Sequence, residues 1–159
     1  MVDRDRDELG NARNSRPRDA LGRPLPHGSE GVERIPDDLD LSPADSLTYA
    51  QDLLDRGLAF HAHEVLEAAW KNAPEDERGM WQGLAQLAVG ITHIQRGNTA
   101  GAASVLARAA NHLDDAVGAA RHGVDVDALI IHTRALIDDL ARSVDIETER
   151  LRPRLQSRG

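Results

Sequence analysis

The stretch FHAHEVLEAAW, residues 60 to 70, places two histidines and two glutamates beside half of the chain's Phe, Tyr and Trp residues. An imidazole and a carboxylate four apart on a helix share a flank. There they can exchange a proton, hydrogen-bond a ligand or hold a divalent metal. His63 and Glu67 have that spacing, Glu64 lies beside Glu67, and Trp70 closes the stretch. His61 is expected off this flank, so His61→Ala should change stability by no more than about 0.5 kcal/mol. A second polar set follows in MWQGLAQLAVGITHIQR, where Gln82, Gln86 and His93 are separated by four and seven residues. They form one stripe on a helix that is otherwise apolar almost all round, the mark of a buried helix. A buried amide or imidazole without a partner costs about 1 to 3 kcal/mol, so this stripe should face polar groups or water.

The sharper expectation joins His63, Glu64 and Glu67 to Gln82, Gln86 and His93 in one buried polar cluster between neighbouring helices. The plainer one is a solvated flank on which Glu67 pairs with Lys71 at i,i+4. Arg96 and Asn98, at the turn that follows, either cap helices or contact a ligand. Two functions fit the cluster. It shapes a pocket in a non-enzymatic module that binds an unknown protein or small-molecule partner, with no cofactor. Alternatively, His63, Glu67 and His93 form a two-histidine, one-carboxylate set for a divalent metal in an enzyme. Neither His-Glu-x-x-His nor Glu-x-x-His is present, and Ser42, Ser46 and Ser104 lie in no nucleophile-turn motif. A third reading leaves the cluster a purely structural task, specifying one core.

These side chains need helices to position them, and helical signals dominate from Ser42 onward. Ser42 is a good N-cap, Pro43 suits the first helical position, and Asp45 follows close to a capping box. A first helix carries Leu47, Ala50, Leu53 and Leu54 and stops at Gly57. A second runs from about Leu58 to Ala73, with Ala62, Val65, Leu66, Ala69 and Trp70 as its apolar face, and Pro74 ends it. The third begins in PEDER, whose acidic residues suit the positive end of the helix dipole, and reaches Arg96. Gly79, Gly83 and Gly90 form a stripe on it where another helix can come close. Gly97 takes the C-terminal cap role. A fourth helix is expected over about Thr99 to Ala119. A fifth starts near Asp125 with Leu129, Ile130, Thr133, Leu136, Ile137 and Leu140 on one face.

An internal repeat supports this layout. GLAFHAHEVLEAA aligns with GNTAGAASVLARA at an offset of 40 residues, matching Gly57/Gly97, Ala62/Ala102, Val65/Val105, Leu66/Leu106 and Ala69/Ala109. The predicted fold is therefore all-α: a compact bundle of about five helices built from helical hairpins, paired in the tetratricopeptide manner. Residues 1–41 read as a flexible or loosely docked leader, whose few apolar residues, Leu21, Leu25, Ile35 and Leu39, would lie along the body if it docks. Residues 42–144 read as the helical domain and 145–159 as a charged tail that frays.

Composition narrows the partners. A formal net charge of −8 argues against a phosphate-binding surface, because nucleic-acid affinity rests on neutralising phosphates. The chain has no cysteine, so thiolate nucleophiles and cysteine-based zinc sites are excluded. No apolar run approaches the roughly 18 to 20 residues of a membrane span, and the charged N-terminus lacks the apolar core of a secretory signal. A cytoplasmic protein is expected, with its oligomeric state open.

The two linked motifs also resemble the domain-of-unknown-function 309 family. Its aromatic-x-x-His-Glu-x-Leu-Glu-x-x-Trp pattern is met by Phe60, His63, Glu64, Leu66, Glu67 and Trp70. Its second pattern is met by Gln82, Gly83, Leu84, Gln86, Ala88, Val89, His93, Arg96, Gly97, Asn98, Gly101 and Ala102. The likeness covers about residues 53 to 113. Gly90 and Thr92 replace a larger aliphatic and an often aromatic residue, which implies a roomier local pocket. The resemblance implies a small all-α helical-hairpin fold of prokaryotic and plastid proteins, and carries no established activity or cofactor.

Overall fold

The computed structural model describes residues 19–23, 35–36 and 38–157. Among them the chain is all-helical: α1 (Pro43–Asp55), α2 (Ala59–Asn72), α3 (Glu75–Gln95), α4 (Thr99–Asp115) and α5 (Val126–Ala141), with short 3-10 turns at Val117–Ala119 and Thr148–Leu151. The caps explain the boundaries. Ser42 Oγ accepts the Asp45 N–H at 3.1 Å, Asn98 Oδ1 that of Gly101 at 3.1 Å, and Asp125 Oδ1 that of Ala128 at 3.1 Å. Each satisfies one of the donors that a helix start leaves without a carbonyl. α1 and α3 end in the same way. Gly57 and Gly97 turn at φ +77° and +76°, and the next N–H reaches back five residues, Leu58 to the Leu53 carbonyl and Asn98 to that of His93. That is the Schellman closure, which favours glycine because the left-handed backbone disfavours a β-carbon.

Successive helices pack on one another in chain order, α1 on α2, α2 on α3, α3 on α4 and α4 on α5. α3 is thus sandwiched, and Met80, Trp81, Leu84, Leu87, Ala88 and Ile91 form the middle of the core. Gly83 and Gly90 face α4: a β-carbon at Gly83 would stand 2.9 Å from the Leu113 side chain, and one at Gly90 would overlap that of Leu106. Gly79 has open space instead, so only two of the three glycines on that stripe serve close packing.

Described parts of both flanks lie against the domain. In the leader, Ile35 is only 2% exposed and joins the core, and Leu39 packs against it. The Gly22 backbone, at φ +80°, lies so close to Phe60 that a β-carbon would overlap the ring. Arg96 Nε donates to the Leu21 carbonyl at 2.8 Å. Leu25 lies outside the described residues. α4 ends at Asp115, short of the expected Ala119, and the chain continues into the 3-10 turn. The C-terminal segment, read as a charged tail, lies against the body as far as Ser157. Leu155 is 1% exposed, and the backbone around it is bonded to Gly123 and Asp125.

Candidate functional site

The flank that carries His63 and Glu67 on α2 meets the stripe that carries Gln82 and Gln86 on α3. With Trp70, Ala85 and Val89 these side chains line one groove of ≈ 200 Å³. Five of the eight candidate residues come together here. The groove is open to solvent, so this part of the expected cluster is a surface feature.

His63 is held at both ring nitrogens. Nδ1 lies 2.9 Å from the Phe60 carbonyl and Nε2 lies 3.1 Å from Glu67 Oε2. Both neighbours are acceptors, and each contact calls for an N–H on the ring nitrogen that faces it. The His63 hydrogen bond holds the Glu67 carboxyl below the usual carboxylate range, against the opposing effect of partial burial. Lys71, 3.5 Å from Glu67 Oε1, adds to the lowering. The expected Glu67–Lys71 pair therefore exists alongside the His63 contact.

On the facing wall, His112 Nδ1 stands 2.7 Å from Gln86 Oε1 and 3.1 Å from the Arg108 carbonyl. Both are acceptors, so Nδ1 carries the hydrogen and fixes the Gln86 oxygen toward α4. The two N–H donors of the Gln86 amide have no partner among the described residues. Gln82 has no hydrogen-bond partner among the described residues. The Arg78 guanidinium lies over the Trp70 ring, 4.8 Å from its centre, which fixes the groove's aromatic edge. His112 was missed in the sequence. The signal available was the Gly83 notch: it receives Leu113, so the preceding residue must stand near Gln86, one turn further along α3.

Three candidates lie elsewhere. Glu64 lines a separate cavity of ≈ 200 Å³ with Ile35, Pro36, Phe60 and Lys71, which shares the His63–Glu67 wall with the groove. His93 lies at the end of α3, where the Asn98 amide nitrogen is 3.1 Å from its Nδ1. Burial, then the charge of Arg96, pushes the His93 ring below its ordinary range. Asn98 also caps α4, so the capping role read for it holds. Among the described residues no group of three His, Cys, Asp or Glu side chains is placed to hold a metal ion. His63 and Glu67 adjoin, while the third residue of that set, His93, lines no part of the groove. His61 corrects the sequence reading outright. It is 0% exposed, on a side of α2 that spacing alone had placed off the polar flank. Its ring stands edge-on to Phe60, 5.7 Å between centres.

Residues 47–105, from within α1 into α4, match the model of the family described as Domain of unknown function (DUF309). This bears out the resemblance read from the two linked motifs. Over 92 residues the chain is 39% identical to "Uncharacterized protein YpuF" of Bacillus subtilis (strain 168), which covers 56% of this chain and 49% of that protein. The chain thus spans about half the length of the curated relative it matches. No solved structure matches. Among the described residues no helix is long and apolar enough to cross a membrane.

Proposed function

We propose that the protein is a non-enzymatic binding module whose α2–α3 groove takes one apolar side chain of a protein partner. One observation carries this reading. Two helices converge on a groove with an apolar floor, Trp70, Ala85 and Val89, and a rim where the Gln82 amide and the Gln86 N–H donors have no partner among the described residues. Amides in that position suit a peptide backbone flanking an inserted side chain. Size supports a single side chain: ≈ 200 Å³ lies below the roughly 300 to 1,000 Å³ of sites that enclose whole ligands. The His63–Glu67–Lys71 chain gives the rim fixed charges that select among partners more than they add affinity.

A photoreactive residue in place of Gln82 tests this in cells that naturally make the protein. A discrete protein adduct is expected from position 82 and not from the exposed Arg134 on α5, and Val89→Arg should abolish it by filling the floor. The same adducts from both positions, or none from position 82, would remove the proposal.

A further inference from the structure

A second cavity, of ≈ 320 Å³, lies between the segment entering α1 and the junction of α2 with α3, and shares no lining residue with the groove. Its polar lining is uniform in character. Glu77, whose side chain is 13% exposed, uses Oε1 to accept the Trp81 indole N–H at 3.4 Å and His122 Nε2 at 2.6 Å. Its second oxygen has no partner among the described residues. Asn72 donates through Nδ2 to the Leu39 carbonyl at 3.3 Å, which leaves its amide oxygen as an acceptor. Ser46 is 2% exposed, lines the cavity, and its hydroxyl has no hydrogen-bond partner among the described residues. Asp40 adds a carboxylate at the mouth. No lysine or arginine lines the space; Ser42 adds the hydroxyl that caps α1, and the rest of the lining, such as Leu41 and Ala73, is apolar.

A hydroxyl that opens into the cavity from an otherwise buried serine, and a sheltered carboxylate with a free oxygen in the same lining, leave acceptor capacity that the protein itself does not use. Such sites cost free energy unless a ligand or water fills them. The missing complement is a compact cation with several donors and no acceptor, attached to an apolar stem. We infer that this cavity binds a primary ammonium group on a short aliphatic chain. Three N–H donors match the Glu77 oxygen, the Ser46 hydroxyl and the Asn72 amide oxygen, and the stem lies against the apolar lining. A bulky guanidinium or an anion has no such fit. His122 and the Trp81 indole hold the carboxylate in place from the far side. This site is independent of the α2–α3 groove.

Trp81 supplies a local reporter, since its indole N–H bonds the same carboxylate. The chain has two tryptophans, and the other, Trp70, lines the groove. In nitrogen–proton correlation spectra of the full chain, butylammonium should shift the Trp81 indole resonance in a saturable way and leave that of Trp70 in place. Butan-1-ol, of the same length without charge, should shift neither. Glu77→Gln should weaken binding by about tenfold or more, the weight of a charge-assisted hydrogen bond. Should that variant unfold, the amine–alcohol contrast on the unaltered protein decides alone. Diaminobutane and Nα-acetyl-lysine methylamide separate a free amine from a protein lysine as the natural source, by which saturates at lower concentration. Equal shifts from amine and alcohol, no Trp81 shift from any amine, or undiminished binding by a folded Glu77→Gln protein would overturn the assignment.

Discussion

His61 and His63 stand two residues apart on α2 and live in different surroundings, which shows how little residue type alone decides. His63 faces the groove, its ring nitrogens engaged by the Phe60 carbonyl and Glu67. His61 is enclosed, with Phe60 edge-on to it. Helical spacing separates the two rings correctly but is silent on which one water reaches, because that depends on what packs against each side of α2. His61→Ala is therefore expected to destabilise by roughly 2 kcal/mol or more, the cost of emptying a fully buried site. Urea or thermal unfolding measures it. A change below about 0.5 kcal/mol would return His61 to the surface role that its spacing first suggested. His93 shows the complementary limit. It continues the Gln82–Gln86 stripe, yet the next position on the His63–Glu67 flank of α2 is Ala59, which offers no polar group. His93 meets Asn98 of its own turn instead.

At the scale of the element, local chemistry was legible wherever it is strong. Ser42, Gly57, Gly97 and Asp125 each mark a boundary through a cap or a left-handed turn, and the structure uses all four. The end of α4 was not legible, since DDAVGAA contains no breaker that forces a stop at Asp115. The C-terminal segment escaped for a related reason. It docks through backbone bonds and scattered apolar residues, Leu155 in the core with Ile146 and Leu151 packed against it, which leave no helical period. α5 closes as α1 and α3 do, with Ser143 N–H to the Leu140 carbonyl and Val144 N–H to that of Asp139. Here the left-handed position, at φ +55°, is a serine where the other two helices have glycine. Ser143→Gly should stabilise the protein by about 0.5 to 1 kcal/mol, because glycine relieves a backbone conformation that costs a β-carbon about 1 to 2 kcal/mol, less its greater freedom when unfolded. Denaturant midpoints read the gain. A loss would mean that the serine side chain contributes more than its backbone strain removes.

Across the whole molecule, the C-terminal segment ties the two ends of the bundle together. Helices in chain order touch mainly their neighbours, so α1 and α5 need another link. Gln51 of α1 supplies it, donating to the Pro153 carbonyl at 3.0 Å and accepting the Leu155 N–H at 2.8 Å. The Leu155 carbonyl then accepts from Asp125 at the start of α5. On α5 itself His132 Nε2 donates to the Arg150 carbonyl at 2.7 Å, and Arg150 pairs with Asp139. Leu155→Ala should cost roughly 2 to 5 kcal/mol if this anchor is part of the one cooperative core. The same link carries a pH dependence. Burial, followed by the charge of Arg150, pushes the His132 ring below its ordinary 6.5, while its bond to the Arg150 carbonyl opposes the shift. The folded chain therefore takes up this proton less readily than the unfolded one. The stability linked to His132 is full above its unfolded pKa and is lost as pH falls through the lower folded value. Between about pH 7.5 and pH 5 the native protein should lose stability, and His132→Gln, which keeps a donor but cannot titrate, should lose less of it. Equal losses in the two proteins would place the acid sensitivity in other groups.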